Sequence, residues 1–223
     1  MKTFDANTMR LWQLISPTLP IGAYAYSTGL EYAVEAGWVK DEASVSNWIL
    51  GQLRNSFPAL DIPLFLRLYA AWEKNDVEAV VMWNRKLLAM RESAELHQED
   101  LALGAALLRV LPGLMITPPS VAEKKLTYAC VFAYAAQNIG VEKQQAAQGL
   151  VWSWCENQVA AMIKLMPLGQ SSGQRILSAA IPVIATSVEQ GMQCDDDNIG
   201  VLMPGLAIAS ALHETQYSRL FRS

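Results

Sequence analysis

The sequence predicts an all-α protein, a single-domain helical bundle of about ten helices. Apolar residues recur every three or four positions along most of the chain, which is the spacing of one face of an α-helix. Glycine, proline and capping residues stand between these stretches, where helix ends are expected. No stretch alternates apolar and polar residues as a half-buried strand does. With 223 residues, 52% of them hydrophobic, the chain can bury a large core in one domain over residues 1–223.

The sequence pattern in the first half of the chain predicts six helices. The first ends at Ser16, because a residue before proline disfavours helical angles. The second ends at Gly37, since glycine readily adopts the left-handed conformation that follows many helices. Asp41 can cap the third, and Asn75 and Asp76 start the fifth. The stretches that carry the apolar faces are 11–15, 27–36, 45–53, 64–72, 80–88 and 91–111.

A capping box predicts the start of a seventh helix. Ser120 and Glu123 have the spacing at which each side chain can bond the other residue's backbone N–H, and Gly140 ends the helix that they open. The eighth helix spans residues 142–166 and stops before Pro167.

Proline shapes the predicted helices near the end of the chain. The ninth helix covers residues 172–191 with a break at Pro182, because proline lacks the N–H that the helix needs. Residues 194–200 form an acidic, solvated loop. Pro204 suits the first position of a tenth helix, which runs through Leu212.

Composition excludes several classes of protein. The 17 Lys and Arg residues against 21 Asp and Glu argue against nucleic acid as a partner. Cys130, Cys155 and Cys194 are too far apart for a Cys-x-x-Cys pair, which favours a reducing cytosol without disulfides or structural zinc. The longest uncharged stretch, 11–30, contains prolines that interrupt a membrane span or a signal peptide. We expect a cytoplasmic protein without a membrane partner.

Polar residues lie beside the apolar face of the eighth helix. Asn157 and Lys164 are seven residues apart and therefore share a stripe, with Glu156 and Gln158 next to it and Gln170 in the following turn. A buried polar group without a partner costs about 1–3 kcal/mol, so these groups should have partners in a substrate, the protein's own core or another protein. The apolar face itself consists of Trp152, Cys155, Val159, Met162 and Met166.

The chain lacks the usual catalytic and metal-binding motifs. Its two histidines are His97 and His213, and His213, near a helix end, is more typical of a residue that caps carbonyl groups than of a metal ligand. A site built on Glu156 and Lys164 would span about 12 Å of helix rise, too far for a direct ion pair. We therefore predict no catalytic residue, no metal ligand and no cofactor.

Two segments have the composition of protein contact surfaces. Residues 16–27 combine two prolines, which fix the backbone, with tyrosines that carry polar tips, and the alternative is a helix–helix corner. The tail, residues 214–223, mixes aromatic and apolar residues with arginines, the types enriched in interface hot spots. Docking on its own domain is the alternative, but we expect the tail to order on a partner. The candidate contact residues are Pro20, Gly22, Tyr24, Tyr26, Ser27, Glu31, Tyr217, Arg219, Leu220, Phe221 and Arg222.

Taken together, these segments resemble the UreF family of urease accessory proteins over almost the whole chain. The matching pieces, in order, are residues 16–31, 33–37, 91–96, 156–158, 164–170 and 213–223. Each short motif is weak alone, but together, in this order and at these separations, they are specific. Ser93, Ala94 and Ala25 depart from the pattern of the family.

The resemblance implies a non-enzymatic, homodimeric all-α protein that acts in urease maturation. Such a protein binds a UreD-like protein (UreH in some organisms) and the UreG-like GTPase, and the complex delivers nickel to apo-urease. Nickel in transit needs weak, exchangeable oxygen ligands rather than a tight cage. The polar residues that would then line a subunit interface or a nickel passage are Glu92, Glu95, Glu156, Asn157, Lys164 and Gln170.

Two other functions remain open from the residues alone. One is a small helical enzyme that uses Glu156 or Lys164 as a tuned acid or base. The other is a helical regulator whose Met- and Trp-rich interior holds a small apolar molecule.

Overall fold

A computed structural model describes residues 6–223, and these residues form the all-α bundle that the sequence predicts. The first five residues of the predicted domain lie outside the described range. Between 6 and 223 the chain forms ten α-helices and no strand. The helices are α1 (Ala6–Leu14), α2 (Leu30–Glu35), α3 (Glu42–Asn55), α4 (Asp61–Glu73), α5 (Val77–Ala89), α6 (Ala94–Val110), α7 (Tyr128–Asn138), α8 (Lys143–Leu165), α9 (Gln170–Met192) and α10 (Pro204–His213).

Most helix starts follow from local capping. The Asp41 side chain accepts a hydrogen bond from the Ser44 backbone N–H, and the Ser44 hydroxyl accepts one from the Asp41 N–H. Asp76 caps α5 and Glu142 caps α8 in the same way. Pro204 occupies the first turn of α10. The predictions for Asp41, Asp76 and Pro204 are confirmed.

The predicted capping box at Ser120 is wrong. Helix α7 begins at Tyr128, where the Thr127 side chain accepts a hydrogen bond from the Cys130 backbone. A contact from another helix selects this start, because Asn84 Oδ1 accepts hydrogen bonds from both the backbone N–H and the hydroxyl of Thr127. The preceding residues, 117–127, form a loop.

The predicted break at Pro182 is also wrong, since α9 runs without interruption from Gln170 to Met192. Pro182 and Ser178, one turn earlier, are both exposed. The carbonyl group that loses its helical partner can therefore bond to water, which lowers the cost of proline inside the helix.

The core lies where α4 packs against α5, α7 and α9, with α8 alongside α9. Phe65 of α4 and Phe132 of α7 are fully buried, and their ring centroids are 6.1 Å apart. Helix α10 packs against α2 and α6 at one side of the bundle. At Gly29 (φ +76°), just before α2, an added Cβ would lie 3.3 Å from the Ser210 backbone nitrogen. Glycine thus brings the start of α2 directly against α10, close to the C-terminal tail.

Replacing Gly104 with alanine should destabilise the protein by about 2–3 kcal/mol. A Cβ at this position in α6 would lie 2.1 Å from the Leu126 carbonyl oxygen, so the backbone before α7 would have to move. Gly51→Ala in α3 is the matched control, because its Cβ would meet no atom within 4 Å and alanine favours helix. Urea unfolding followed by circular dichroism should show a lower midpoint for G104A and an equal or higher midpoint for G51A. Equal midpoints for the two variants would contradict the close packing of α6 on the residues before α7.

Candidate functional site

The end of the C-terminal tail lies against the chain's own domain. The Arg222 backbone N–H donates to the Ala25 carbonyl (2.8 Å), and the Ser27 N–H donates to the Ser223 carbonyl (2.9 Å), a pairing like that of two strands. The Phe221 side chain is only 5% exposed and Ser223 is fully buried. The expectation that this segment orders only on a partner is therefore wrong. Its backbone hydrogen bonds are made within the protein.

Glu31 holds the tail through its carboxylate. One oxygen accepts a hydrogen bond from the Leu220 backbone N–H (2.6 Å), and the other accepts from the Phe221 N–H (2.8 Å). The second oxygen also lies 3.0 Å from His213 Nε2. Hydrogen bonds from backbone N–H groups to an ionised carboxylate are about twice as strong as neutral ones. Glu31 is itself buried, so these bonds fix the path of the tail.

Glu95 bonds the tail from α6. One of its oxygens accepts a hydrogen bond from Arg219 Nη1 (2.6 Å), and the other lies 2.6 Å from His213 Nδ1. His213 is fully buried between Glu95 and Glu31, so the prediction that it caps carbonyl groups is wrong. Both ring nitrogens face carboxylate oxygens, so the imidazole bridges Glu31 of α2 and Glu95 of α6. We call these four residues, Glu31, Glu95, His213 and Arg219, the tail anchor.

Glu99 joins the tail to the interior. The Ser223 hydroxyl donates to its Oε2 (2.6 Å), and the Thr28 hydroxyl donates to its Oε1 (3.2 Å). Among the described residues, Glu99 has no salt-bridge partner. Burial raises the pKa of its carboxyl group to about 7, with a smaller contribution of the same sign from Asp100, while the two hydroxyl donors oppose the shift.

Glu99 also lines a cavity of about 260 Å³ between the segment 15–24, α6 and α8. Most of the cavity wall is apolar, and it includes Ile21, Phe57, Leu103, Tyr128 and Trp154. Glu156 and Asn157, two of the predicted polar residues, line it as well. Burial raises the pKa of the Glu156 carboxyl above its ordinary value. The cavity thus brings carboxylate and amide oxygens together in a largely apolar surrounding.

Arg91 crosslinks three helices at the edge of the cavity. Its guanidinium group donates to Asp61 (2.9 Å) and to Asp100 (2.8 Å), and the second Asp100 oxygen accepts from the Tyr128 backbone N–H (2.7 Å). Burial alone would lower the pKa of Arg91, but Asp100 and Asp61 outweigh it and hold this pKa above its usual value. The sequence offered Arg91 only as part of a family motif and did not predict this cluster.

The polar stripe of α8 is confirmed, and its partners belong to the same chain. Asn157 Nδ2 donates to the Tyr26 carbonyl (3.1 Å), and Lys164 Nζ lies 3.5 Å from the Tyr24 carbonyl. Gln158 Nε2 donates to the Thr28 hydroxyl (3.1 Å). Asn157 and Lys164, seven residues apart on α8, thus contact Tyr26 and Tyr24 of the segment before α2. These contacts place that segment along α8.

The predicted contact residues are buried, half-buried or exposed, and the half-buried ones are Gly22, Glu92, Glu156 and Asn157. Tyr26, Ser27, Glu31, Glu95 and Phe221 are buried and hold the tail, the segment before α2 and the interior together. The exposed members include Pro20 and Gln170, while Gly22 adopts φ +78° beside them and Glu92 is half-buried with its pKa raised by burial. Of the other exposed residues, Arg219 belongs to the tail anchor, and the rest form what we call the tail face, which consists of Tyr24, Lys164, Tyr217, Leu220 and Arg222.

Lys164 connects the two parts of the tail face. Its Nζ lies 5.5 Å from the centroid of the Tyr24 ring and 5.6 Å from that of Phe221, within the range of cation–π attraction. Tyr24 is 68% exposed and Leu220 64% exposed. The face therefore combines two tyrosine rings, an apolar side chain and two cations, and the contacts of the tail fix the backbone of Leu220 and Arg222.

None of the helices within residues 6–223 combines the length and the apolar character that crossing a membrane requires. In the same range, no three His, Cys, Asp or Glu side chains are grouped so that they could hold a metal ion.

Comparison with known proteins identifies the family. The sequence model of the UreF family matches residues 39–181. The chain is 48% identical to the urease accessory protein UreF of Alkalilimnicola ehrlichii over 216 residues, which cover 96% of this chain and 95% of the relative. It is 46% identical to the UreF of Chromohalobacter salexigens, with 96% and 93% covered, and 44% identical to that of Marinobacter nauticus, with 98% and 95% covered. This chain belongs to the UreF family of urease accessory proteins.

Proposed function

We propose that this protein is a non-enzymatic adaptor in the insertion of nickel into apo-urease. It bridges a UreD-like (UreH-like) protein and a UreG-like GTPase, modulates the GTPase, and acts as a homodimer in the cytoplasm. Its relatives are named urease accessory proteins, which supports the pathway. The tail face is the observation that carries the adaptor role.

The tail face has the properties of a preformed binding surface. Tyr24, Tyr217 and Leu220 are all more than half exposed, although large apolar side chains are usually buried. Tyrosine and arginine are enriched in interface hot spots. Because the tail anchor already fixes residues 219–223, binding does not have to order this part of the tail, which saves conformational entropy. We assign this face to the UreD-like partner.

A second exposed apolar surface lies on and just before α10, the helix that leads into the tail. Ile208 and Leu212, four residues apart on this helix, are 49% and 42% exposed, and Leu202 just before the helix is 79% exposed. Residues four apart share one side of a helix, so Ile208 and Leu212 form an exposed apolar strip on α10. A protein with two exposed contact surfaces suits a bridging role better than an enzymatic one.

The cavity supports a passage for nickel. Glu99, Glu156 and Asn157 offer oxygen donors there, and hard oxygen ligands exchange a divalent ion more readily than a cage of Cys and His. The enzyme alternative gains less support, because Lys164 lies against the Tyr24 carbonyl and rings, while Glu156 faces the cavity. Because the cavity wall is largely apolar, we retain a second candidate function, that of a regulator that binds a small apolar molecule.

Replacing Tyr217, Leu220 and Arg222 together with alanine should weaken binding to the purified UreD-like protein at least tenfold, since each hot-spot side chain contributes about 1–2 kcal/mol or more. The anchor residues stay in place, so the circular dichroism spectrum should not change. The double variant Met82→Ala/Ile181→Ala is the control, because these exposed side chains lie on α5 and α9. Calorimetric titration gives both affinities. Wild-type affinity in the triple variant would contradict the proposed role of the tail face.

A further inference from the structure

We propose that Glu99 makes the docking of the C-terminal tail proton-linked, so that a neutral Glu99 holds the tail and an ionised Glu99 loosens it. This inference concerns the isolated chain and does not depend on which partner the tail face binds.

The contacts of Glu99 set up this link. Its carboxyl group bonds Ser223 of the tail on one side and Thr28 on the other, both through hydroxyl groups. The nearest cations are engaged elsewhere, because Arg91 bridges Asp61 and Asp100 and Arg219 bonds Glu95. An ionised Glu99 would thus lie in a half-buried site without a directly bonded counter-ion, which is costly, and the charge of Arg91 offsets this cost only in part.

The charge balance around the tail points the same way. Three carboxylates, those of Glu31, Glu95 and Glu99, face one guanidinium and one imidazole. Even if the imidazole carried a positive charge, the two cations would balance only two of the three carboxylates. Glu99 is the one of the three that no positively charged group contacts. The charged and titratable groups around this site are Arg91, which lies between α5 and α6, and six residues of α2, α6, α8, α10 and the tail: Glu31, Glu95, Asp100, Glu156, His213 and Arg219.

The direction of the pH dependence follows from where the proton binds. Burial raises the pKa of Glu99 to about 7 in the docked state, from an ordinary value of 4.5. If release of the tail lets water reach the carboxyl group, the docked state binds a proton that the released state has lost. Docking is therefore strongest below pH about 4.5, weakens as pH rises and levels off above about 7. One linked proton changes the docking equilibrium by at most about tenfold per pH unit.

Hydrogen–deuterium exchange of the full-length protein tests the link. The amides of Leu220, Phe221 and Arg222 are hydrogen-bonded only while the tail is docked. After correction for the intrinsic exchange rate, their protection in wild-type protein should fall by up to about tenfold per pH unit between pH about 5 and 7. In the Glu99→Gln variant, amide protection should fall less steeply with pH, because glutamine does not titrate. The difference in slope from wild type should be up to the tenfold per pH unit that one proton contributes.

Glu156→Gln is the matched control, since Glu156 lines the same cavity and forms no hydrogen bond to the tail. It should keep the wild-type slope. Equal slopes in wild type and E99Q, or a slope lost in E156Q instead, would overturn the proposal. Ser223→Ala provides a second variant that does not alter a charge. It should lower protection at pH 6 by about two- to tenfold, the value of one hydrogen bond, and unchanged protection would show that Glu99 does not hold the tail.

Discussion

Replacing Arg91 with leucine should lower the free energy of unfolding by about 3–5 kcal/mol, because it leaves two carboxylates without their cation. The side chains of Asp61 and Asp100 are only 15% and 7% exposed, so water cannot replace the lost guanidinium group fully. Asp100 also bonds the Tyr128 backbone at the start of α7, which ties the loss to the packing of α4, α6 and α7. Chemical denaturation at pH 7, followed by circular dichroism, measures the change.

The exposed ion pair of Arg175 with Glu42 provides the control for Arg91. This pair has similar geometry, with a 2.6 Å contact, but the Arg175 side chain is 61% exposed. Solvent screens such a pair, so Arg175→Leu should shift the unfolding midpoint far less than R91L. Similar shifts in the two variants would mean that the buried cluster contributes no more than a surface pair.

Local chemistry explains which helices could be predicted from the sequence. Asp41, Asp76 and Pro204 act on their own first turn, so the sequence near them is sufficient. The start of α7 depends instead on Asn84, which is 43 residues away from Thr127. A capping box at Ser120 has the correct spacing, but it competes with this tertiary contact and loses. The continuity of α9 through Pro182 likewise depends on which side of the helix faces solvent, and that follows from the fold.

The candidate site could be predicted only in part, for the same reason. The stripe of Asn157 and Lys164 lies within one helix, so its periodicity is visible in the sequence. The tail anchor joins residues as far apart as Glu31 and His213, and no local pattern pairs them. The composition of the tail suggested a partner surface but could not separate the inward residue, Phe221, from the outward Leu220 and Arg222. In an extended segment neighbouring side chains point to opposite sides, so one sequence serves both docking and exposure.

Replacing His213 with leucine should lower the free energy of unfolding by about 3–5 kcal/mol and release the tail, because Glu31 and Glu95 would lose the buried group that bridges them. The same measurements on His97→Leu, a half-exposed residue of α6, should show a change within about 0.5 kcal/mol. Adding Glu31→Gln to H213L should recover part of the loss, since it removes the buried charge that has lost its partner while Glu95 keeps Arg219, and such non-additivity is expected of groups in direct contact. Stability follows from denaturation, and the position of the tail follows from its cleavage rate by carboxypeptidase. If H213L kept wild-type stability and a protected tail, the backbone bonds to Glu31 and the packing of Phe221 would hold the tail without the imidazole, and the bridging role of His213 would be wrong.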